Sequence, residues 1–245
     1  MPRFFVPSEN ISGNIIRITG DDAFHIARSL RMAVGDSVTV CDMHANEHVC
    51  RLLKIRDEEC ECEIVETKHA STESPIEVTL YMSYPKGDKL ETVIQKAVEL
   101  GAVKIVPFES SRCIKRPKAD KEEKQNARLS RIAEEAAKQC GRAVLPKVAR
   151  PIGFSEMLKE AAAADLPLFC YEGDGTESLK AVLEKSRKDI RTASVVVGCE
   201  GGFSMKEAED ARAAGLISVG LGPRILRCET APTYALSAIS FYFEL

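Results

Sequence analysis

The chain has 245 residues, 44% of them apolar, which is enough for one large domain or two ordinary ones, each with its own core. Its formal net charge of −3 argues against a protein that binds polyanions over its whole surface. Charged residues interrupt the apolar runs before bilayer length, and the N-terminus lacks the apolar core of a signal peptide, so we expect neither membrane insertion nor export.

The first 72 residues are predicted to form a small β-barrel-like domain with one helix. Phe24, Ala27 and Leu30 recur at helical spacing, which predicts a helix over residues 22–32. The polar stretch before Pro75 disfavours a continuous element, so we set the domain boundary between residues 72 and 73. The predicted strands, separated by turn signals, cover residues 4–6, 14–18, 37–41, 49–55 and 60–66.

Residues 73–245 alternate between apolar strands and helices. This order is typical of an α/β domain with a mainly parallel sheet covered on both faces. The predicted strands cover residues 76–83, 103–108, 166–171, 193–198 and 217–221, and the predicted helices cover residues 88–100, 121–140, 155–164, 178–186, 204–214 and 232–243.

Two glycine-rich turns follow two of these strands. The first glycine turn is residues 198–203 and the second glycine turn is residues 220–229. Ligands of open α/β sheets bind outside the carboxyl ends of the strands, and glycine lets the main chain approach them closely. Neither turn has the G-x-G-x-x-G order or the P-loop pattern, so we expect a nucleoside-type ligand of another kind. The pair of turns is the predicted active site.

A basic stretch runs from Arg112 to Arg150, with twelve Lys/Arg and five Asp/Glu residues. Such a stretch on an acidic protein can steer a phosphate backbone. It can equally be a solvated helix face, and the pattern by itself does not separate these interpretations.

The nine cysteines are an odd number scattered along the chain, which fits free thiols in a reducing compartment and predicts a cytoplasmic protein. Cys41, His44, His48 and Cys50 suggest a zinc site. Their spacing is not that of a standard zinc finger, however, and the segment has the pattern of a hairpin. We therefore predict no metal.

Several segments together resemble a known family. They are residues 3–6 (RFFV), His25 with residues 30–32 (LRM), 86–91 (KGDKLE), 94–97 (IQKA), 99–101 (ELG), 134–142 (EEAAKQCGR), 200–202 (EGG) and 221–231 (LGPRILRCETA). From end to end the chain is similar to the RsmE-type 16S rRNA uracil-N3 methyltransferases of the SPOUT superfamily.

The resemblance implies a PUA-like RNA-binding barrel over residues 1–72 and a knotted SPOUT methyltransferase domain over residues 73–245. It also implies a homodimer and S-adenosylmethionine as cofactor. The implied substrate is the uracil at position 1498 of 16S rRNA, presented by the assembled small ribosomal subunit.

Methyl transfer to uracil N3 requires removal of the proton that this nitrogen carries at neutral pH. A base must accept the proton, or a cation must stabilise the anion on the ring oxygens. We predict Arg227 as the cation and Glu229 or Glu200 as the proton acceptor. Arg227 could instead bind a phosphate, and the two glutamates could be structural.

The predicted binding residues form two groups. The cofactor group is Val197, Gly198, Glu200, Gly201, Gly202, Leu221, Gly222, Ile225, Leu226, Arg227 and Thr230. The RNA group is Arg3, His25, Arg28, Arg31, Lys86, Arg112, Lys115, Arg116, Arg131 and Arg142.

One residue departs from the family pattern: Cys199 stands before Glu200, where the family usually has proline. We expect a somewhat looser turn with its activity kept. Two rival functions remain open, namely methylation of another RNA base and an RNA-binding assembly factor that has lost catalysis.

Overall fold

The computed structural model describes residues 1–114, 122–187 and 189–245. The chain divides into two compact units. The first unit comprises residues 1–73 with 137–145, and the second comprises residues 74–136 with 146–245. None of the helices in the described ranges combines the length and the apolar character that crossing a bilayer requires.

The first unit is built on one six-stranded sheet. Its strands are β1 (Arg3–Phe5), β2 (Ile11–Ser12), β3 (Ile15–Thr19), β4 (Ser37–Cys41), β5 (Asn46–Ile55) and β6 (Glu59–His69). They follow the order β1-β4-β5-β6-β3-β2, in which β1 and β4 are parallel and the other pairs are antiparallel. The sheet is curled, as in a PUA-like domain.

Alternation along the strands produces the core of this unit. Ile16 and Ile18 on β3 are fully buried, while Arg17 between them is exposed, because successive side chains of a strand point to opposite faces. Phe4, Val38, Val40 and Leu52 come from neighbouring strands and are buried in the same cluster.

The predicted helix over residues 22–32 is wrong in its length and type. The chain forms one α-helical turn, α1 (Asp21–Phe24), and then a π-helical turn over His25–Ser29. The N–H of Leu30 donates to the carbonyl of His25 at 2.9 Å, a five-residue spacing that the apolar periodicity did not indicate. Arg31 ends the segment with a φ of 51°, in the left-handed region.

Residues 137–145 belong to the first unit, although the boundary predicted from the sequence assigns them to the second domain. The Arg142 guanidinium is buried and lies 2.8 Å from the Glu73 carboxylate, measured from Nε to Oε2. The same carboxylate accepts the N–H groups of Ala143 at 2.8 Å and Val144 at 3.2 Å. These bonds attach the segment to the end of the 1–73 stretch.

The second unit contains an eight-stranded parallel sheet and six helices among the described residues. Its strands are β7 (Glu77–Ser83), β8 (Ala102–Glu109), β9 (Lys147–Val148), β10 (Ile152–Gly153), β11 (Leu166–Cys170), β12 (Glu177–Ser178), β13 (Thr192–Val197) and β14 (Ile217–Gly220). Its helices are α2 (Lys89–Glu99), α3 (Glu122–Cys140), α4 (Phe154–Ala161), α5 (Leu179–Lys185), α6 (Met205–Ala213) and α7 (Thr230–Phe243). Residues 137–140 of α3 belong to the first unit.

The sheet order of the second unit is β10-β8-β7-β13-β11-β14-β12, with β9 paired to β8. Phe169 and Val196 on central strands share a buried cluster with residues of α4 and α6, so these two helices cover one face of the sheet. Helices α2 and α5 contact α7, which packs on β13. The predicted parallel sheet with helical layers is confirmed. The two-residue strands β9, β10 and β12 were not predicted.

Candidate functional site

A cavity of about 590 Å³ opens in the second unit where β11, β13 and β14 end. This volume lies in the range of pockets that bury small molecules. Three loops line the cavity, each following one of these strands, and Lys89 completes the wall. The loops lie at residues 170–176, 197–203 and 219–231, so both glycine turns contribute.

The first glycine turn leaves no room for a side chain at Gly198. A Cβ on Gly198 would lie 3.1 Å from the Cα of Gly202 and 3.2 Å from the ring of Phe203. Gly202 has a φ of 60°, and its N–H donates to the carbonyl of Cys199 at 2.9 Å. The turn therefore presents main-chain atoms to the cavity.

Three side chains flank the first glycine turn. Ser204 and Glu207 form a capping box at the start of α6, and Glu207 also accepts the N–H of Ser111 at 2.7 Å. Arg112 packs over Gly201, where a Cβ would come within 3.0 Å of its own Cβ. Its guanidinium donates to the Gly201 carbonyl at 2.8 Å.

The second glycine turn connects β14 to α7. Gly222 has a φ of 104°, and residues 221–226 lie outside helix and sheet, which leaves main-chain groups of this stretch available to a ligand. The carbonyl of Arg227 accepts the N–H groups of Thr230 and Ala231, both at 2.9 Å, which starts α7. The Arg227 side chain is exposed and lines the cavity.

Lys89 forms ion pairs with one glutamate from each glycine turn. Its Nζ lies 2.9 Å from Glu200 Oε1 and 3.4 Å from Glu229 Oε2. The backbone N–H of Lys86 also donates to Glu200, at 3.0 Å. Cys228 donates its thiol hydrogen to Glu229 Oε2 at 3.2 Å.

These contacts set the ionisation of the three groups. The hydrogen bond to Glu200 raises the pKa of Lys89. Burial acts to raise the pKa of Glu200, but the hydrogen bonds from Lys89 and Lys86 outweigh it and the pKa is lowered. Burial likewise opposes hydrogen bonding at Glu229, and its pKa is also lowered. One ammonium and two carboxylates therefore stand charged at this edge of the cavity at neutral pH.

Cys199, within the first glycine turn, is buried beside Cys113. Ser110 Oγ is 3.4 Å from Cys113 Sγ and 3.9 Å from Cys199 Sγ. The hydrogen bond between the two sulfurs raises the pKa of Cys199 and lowers that of Cys113. Cys199 is therefore a buried, protonated thiol.

Comparisons with known proteins agree with this geometry. The family model named RNA methyltransferase domain matches residues 72–240 of the sequence. The family model named RNA methyltransferase PUA domain matches residues 18–65. The chain is 36% identical to the ribosomal RNA small subunit methyltransferase E of Bacillus subtilis, over 93% of this chain and 90% of that protein. It belongs to the methyltransferase E family.

Two further members of the methyltransferase E family extend the comparison. The Synechocystis protein of that name is 32% identical, over 99% of this chain and 78% of its own length. The crystal structure of the Neisseria gonorrhoeae methyltransferase E, bound to S-adenosyl methionine, superposes with a TM-score of 0.87 at 32% identity. That match covers 99% of this chain and 98% of the other.

The structure of this methyltransferase E family member brings most of the predicted cofactor group together. Val197, Gly198, Glu200, Gly202, Leu221, Gly222, Ile225, Leu226 and Arg227 all line the cavity. Gly201 is covered by Arg112, and Thr230 is the first residue of α7. Glu229 reaches the site through its ion pair with Lys89.

Sequence reasoning missed Lys89, Tyr171, Glu172 and Thr176 as lining residues. The last three follow the carboxyl end of β11, so the rule that identified the glycine turns also applies to them. Lys89 belongs to the family segment over residues 86–91, but its neighbours in space come from both glycine turns.

The predicted RNA-binding residues of the first unit differ in their availability. His25 and Arg31 are exposed. Arg28 is exposed but forms an ion pair with Asp57, with Nε 2.9 Å from Oδ1. Arg3 pairs with Glu47 at 2.8 Å, and Arg142 is buried against Glu73, so these two arginines stabilise the unit.

In the second unit Lys86 and Arg131 are exposed. Arg112 is exposed as well, although its guanidinium donates to Gly201. Lys115 and Arg116 lie outside the described residues, as does the first residue of the helix predicted over 121–140.

The candidate zinc residues have other neighbours. Cys41 Sγ accepts a hydrogen bond from Arg3 at 3.0 Å, and His48 Nδ1 lies 2.8 Å from Thr67 Oγ1. Within the part of the chain that the structure describes, no three or more His, Cys, Asp or Glu side chains are grouped to hold a metal ion.

Proposed function

We propose that this protein transfers the methyl group of S-adenosylmethionine to N3 of one uracil, position 1498, in 16S rRNA of the small ribosomal subunit. The observation that carries this proposal is the cavity between the two glycine turns in a chain of the methyltransferase E family. The sequence resemblance supports the base and its position. Because the substrate is ribosomal RNA, we place the reaction in the cytoplasm.

The cavity fits S-adenosylmethionine in size and in the character of its walls. Gly222 leaves open space where a Cβ would stand, so the main chain of the second glycine turn can contact a flat adenine and its ribose. The first glycine turn offers its main chain to the methionine part. S-adenosylmethionine supplies an activated methyl group on a sulfonium, and the protein needs no nucleophile of its own.

The residues around the cavity can accept the uracil proton and stabilise the negative charge that its loss leaves. The Arg227 guanidinium stands at the mouth, and no described side chain forms a hydrogen bond or ion pair with it. It is therefore available to stabilise negative charge on the uracil oxygens. Glu229 and Glu200 are both ionised, and Glu229 has the longer contact with Lys89, so we assign Glu229 as the first candidate for the proton.

RNA binding is proposed for the exposed basic residues of each unit. His25 and Arg31 serve this purpose in the first unit, and Lys86 and Arg131 in the second. Arg112 both holds the first glycine turn and contributes positive charge. Arg3 and Arg142 are left out of this surface, because their guanidinium groups are paired with glutamates.

Two structural features implied by the resemblance remain part of the proposal. A homodimer is supported by the exposed Tyr234 and Phe241 on α7, which are 47% and 72% exposed. The trefoil knot rests on the family resemblance of residues 73–245. Light scattering after size-exclusion chromatography tests the dimer, with a monomer mass as the contradicting result.

In vitro methylation tests the proposed reaction. Small subunits from cells lacking this protein are incubated with it and labelled S-adenosylmethionine, and the rRNA is digested and mapped by mass spectrometry. The proposal expects one methyl group on the uracil at position 1498. A methyl group on another base contradicts the substrate assignment, and tight cofactor binding without any transfer to subunits or free rRNA contradicts the catalytic role.

A further inference from the structure

Lys89 occupies an electrostatically unfavourable place in its helix. It is the first residue of α2, where the unpaired N–H groups of the helix already carry partial positive charge. A cation at this end of a helix is repelled by the helix dipole. Its placement therefore calls for compensation from elsewhere, and Glu200 and Glu229 supply it.

The two glutamates come from separate loops that meet at the Lys89 ammonium. Glu200 lies in the first glycine turn and Glu229 in the second, both within 3.4 Å of the same nitrogen. Two carboxylates so close to one point repel each other unless a cation stands between them. Removing the ammonium therefore pushes apart the loops that form the cavity.

The loop before α2 also contacts the Glu200 carboxylate. The backbone N–H of Lys86 donates to both oxygens of Glu200, at 3.0 and 3.3 Å. Lys89 Nζ also lies 3.9 Å from Cys228 Sγ, beside Glu229. Two loops distant in sequence thus converge on Lys89, which is only 35% exposed, and the loop before α2 joins them through Glu200.

We propose that Lys89 is a positioning residue whose ammonium ties the two glycine turns together and holds the cavity in its binding shape. It need not touch the substrate, because it acts through Glu200 and Glu229. This inference rests on the proposed function of the cavity as the S-adenosylmethionine site.

The test compares Lys89→Met with Lys89→Arg and with Lys96→Met. Lys96 lies on the same helix, pairs with Glu99 at 2.8 Å and does not line the cavity, so it controls for the loss of a paired lysine from α2. Calorimetry with S-adenosylmethionine measures affinity, and amide hydrogen exchange of the free protein measures opening of the loops. Both use the full chain.

We expect Lys89→Met to weaken S-adenosylmethionine binding about tenfold, the effect of losing two partly exposed ion pairs of ordinary strength. Exchange in residues 198–203 and 221–229 should become faster together. Lys89→Arg should recover most of the affinity, and Lys96→Met should match the wild type in both measurements.

A double variant provides a second test. If Lys89 acts through Glu229, the affinity losses of Lys89→Met and Glu229→Gln should not add in the combined variant. Glu229→Gln also serves where Lys89→Met fails to fold, because it leaves the lysine in place and should still speed exchange in the second glycine turn.

Wild-type affinity and exchange in folded Lys89→Met would overturn the positioning role, as would equal losses in Lys96→Met. Strictly additive losses in the double variant would overturn the link through Glu229. These results are distinct from failure of the proposed function, in which the wild-type protein itself does not bind S-adenosylmethionine.

Discussion

Replacing Arg227 by alanine should abolish most methyl transfer while leaving cofactor binding nearly unchanged. The guanidinium is exposed at the cavity mouth, and no described side chain pairs with it. Its loss therefore breaks no ion pair within the described chain. The carbonyl of Arg227, which starts α7, is retained in alanine.

The size of the effect follows from the role that we assign to the side chain. An exposed residue of this kind changes the free energy of unfolding by less than about 0.5 kcal/mol. Loss of a group that stabilises a developing oxyanion in a closed site costs about 3 kcal/mol of transition-state stabilisation, or a rate loss of about 100-fold or more. The variant should therefore fold normally and react slowly.

The assay is single-turnover methyl transfer to unmodified small subunits at saturating S-adenosylmethionine, with calorimetry for the cofactor. Arg224→Ala is the matched control, because Arg224 lies on the same loop, lines the cavity and carries the same charge. We expect a loss of less than about tenfold for this control, from weaker attraction of RNA alone. Equal losses in the two variants would refute a specific role for Arg227, and so would normal methylation by Arg227→Ala.

The remaining predictions concern the first glycine turn and the buried ion pair of the first unit. Gly198→Ala should weaken S-adenosylmethionine binding about tenfold or more in calorimetry, because the new Cβ would meet Gly202 at 3.1 Å, whereas Gly153→Ala, which meets open space, should not. Glu73→Gln should destabilise the protein by about 3 kcal/mol in urea unfolding, because it leaves the Arg142 charge buried without its carboxylate. The hydrogen bonds to Arg142 outweigh burial and lower the pKa of Glu73, so its stabilisation is present at neutral pH and lost as the pH falls below about 4. A stability difference between wild type and Glu73→Gln that stays constant from pH 7 to pH 3 would contradict this assignment.

The sequence predicts well those elements that are defined by residues close together in the chain. Strand β4 has the predicted bounds at Ser37–Cys41, because alternation and turn residues define it within a few positions. The capping box of Ser204 and Glu207 has an equally local signal, a serine followed three residues later by a glutamate, because both partners lie within one turn. The long strands and helices of the second unit are confirmed to within a few residues at their ends.

Features that depend on hydrogen-bond spacing within a helix, or on contacts between residues far apart in the sequence, were missed. Apolar spacing reports which side of a helix is buried, but not whether its hydrogen bonds span four residues or five, so the π-helical turn over His25–Ser29 gave no signal. The contacts of Lys89 involve residues more than 100 positions away in the chain, which no single-sequence pattern brings together. The attachment of residues 137–145 to the first unit likewise depends on contacts with residues far away in the sequence, so no local pattern indicates it.

A crystal structure of the protein with bound S-adenosylmethionine tests whether the cavity is the cofactor site. We expect the cofactor in the cavity between the two glycine turns, with its adenosine against the main chain of residues 221–226 and its methyl group facing Arg227. Density for the cofactor elsewhere, or glycine turns that make no contact with it, would show that the cavity is not the methyl-donor site.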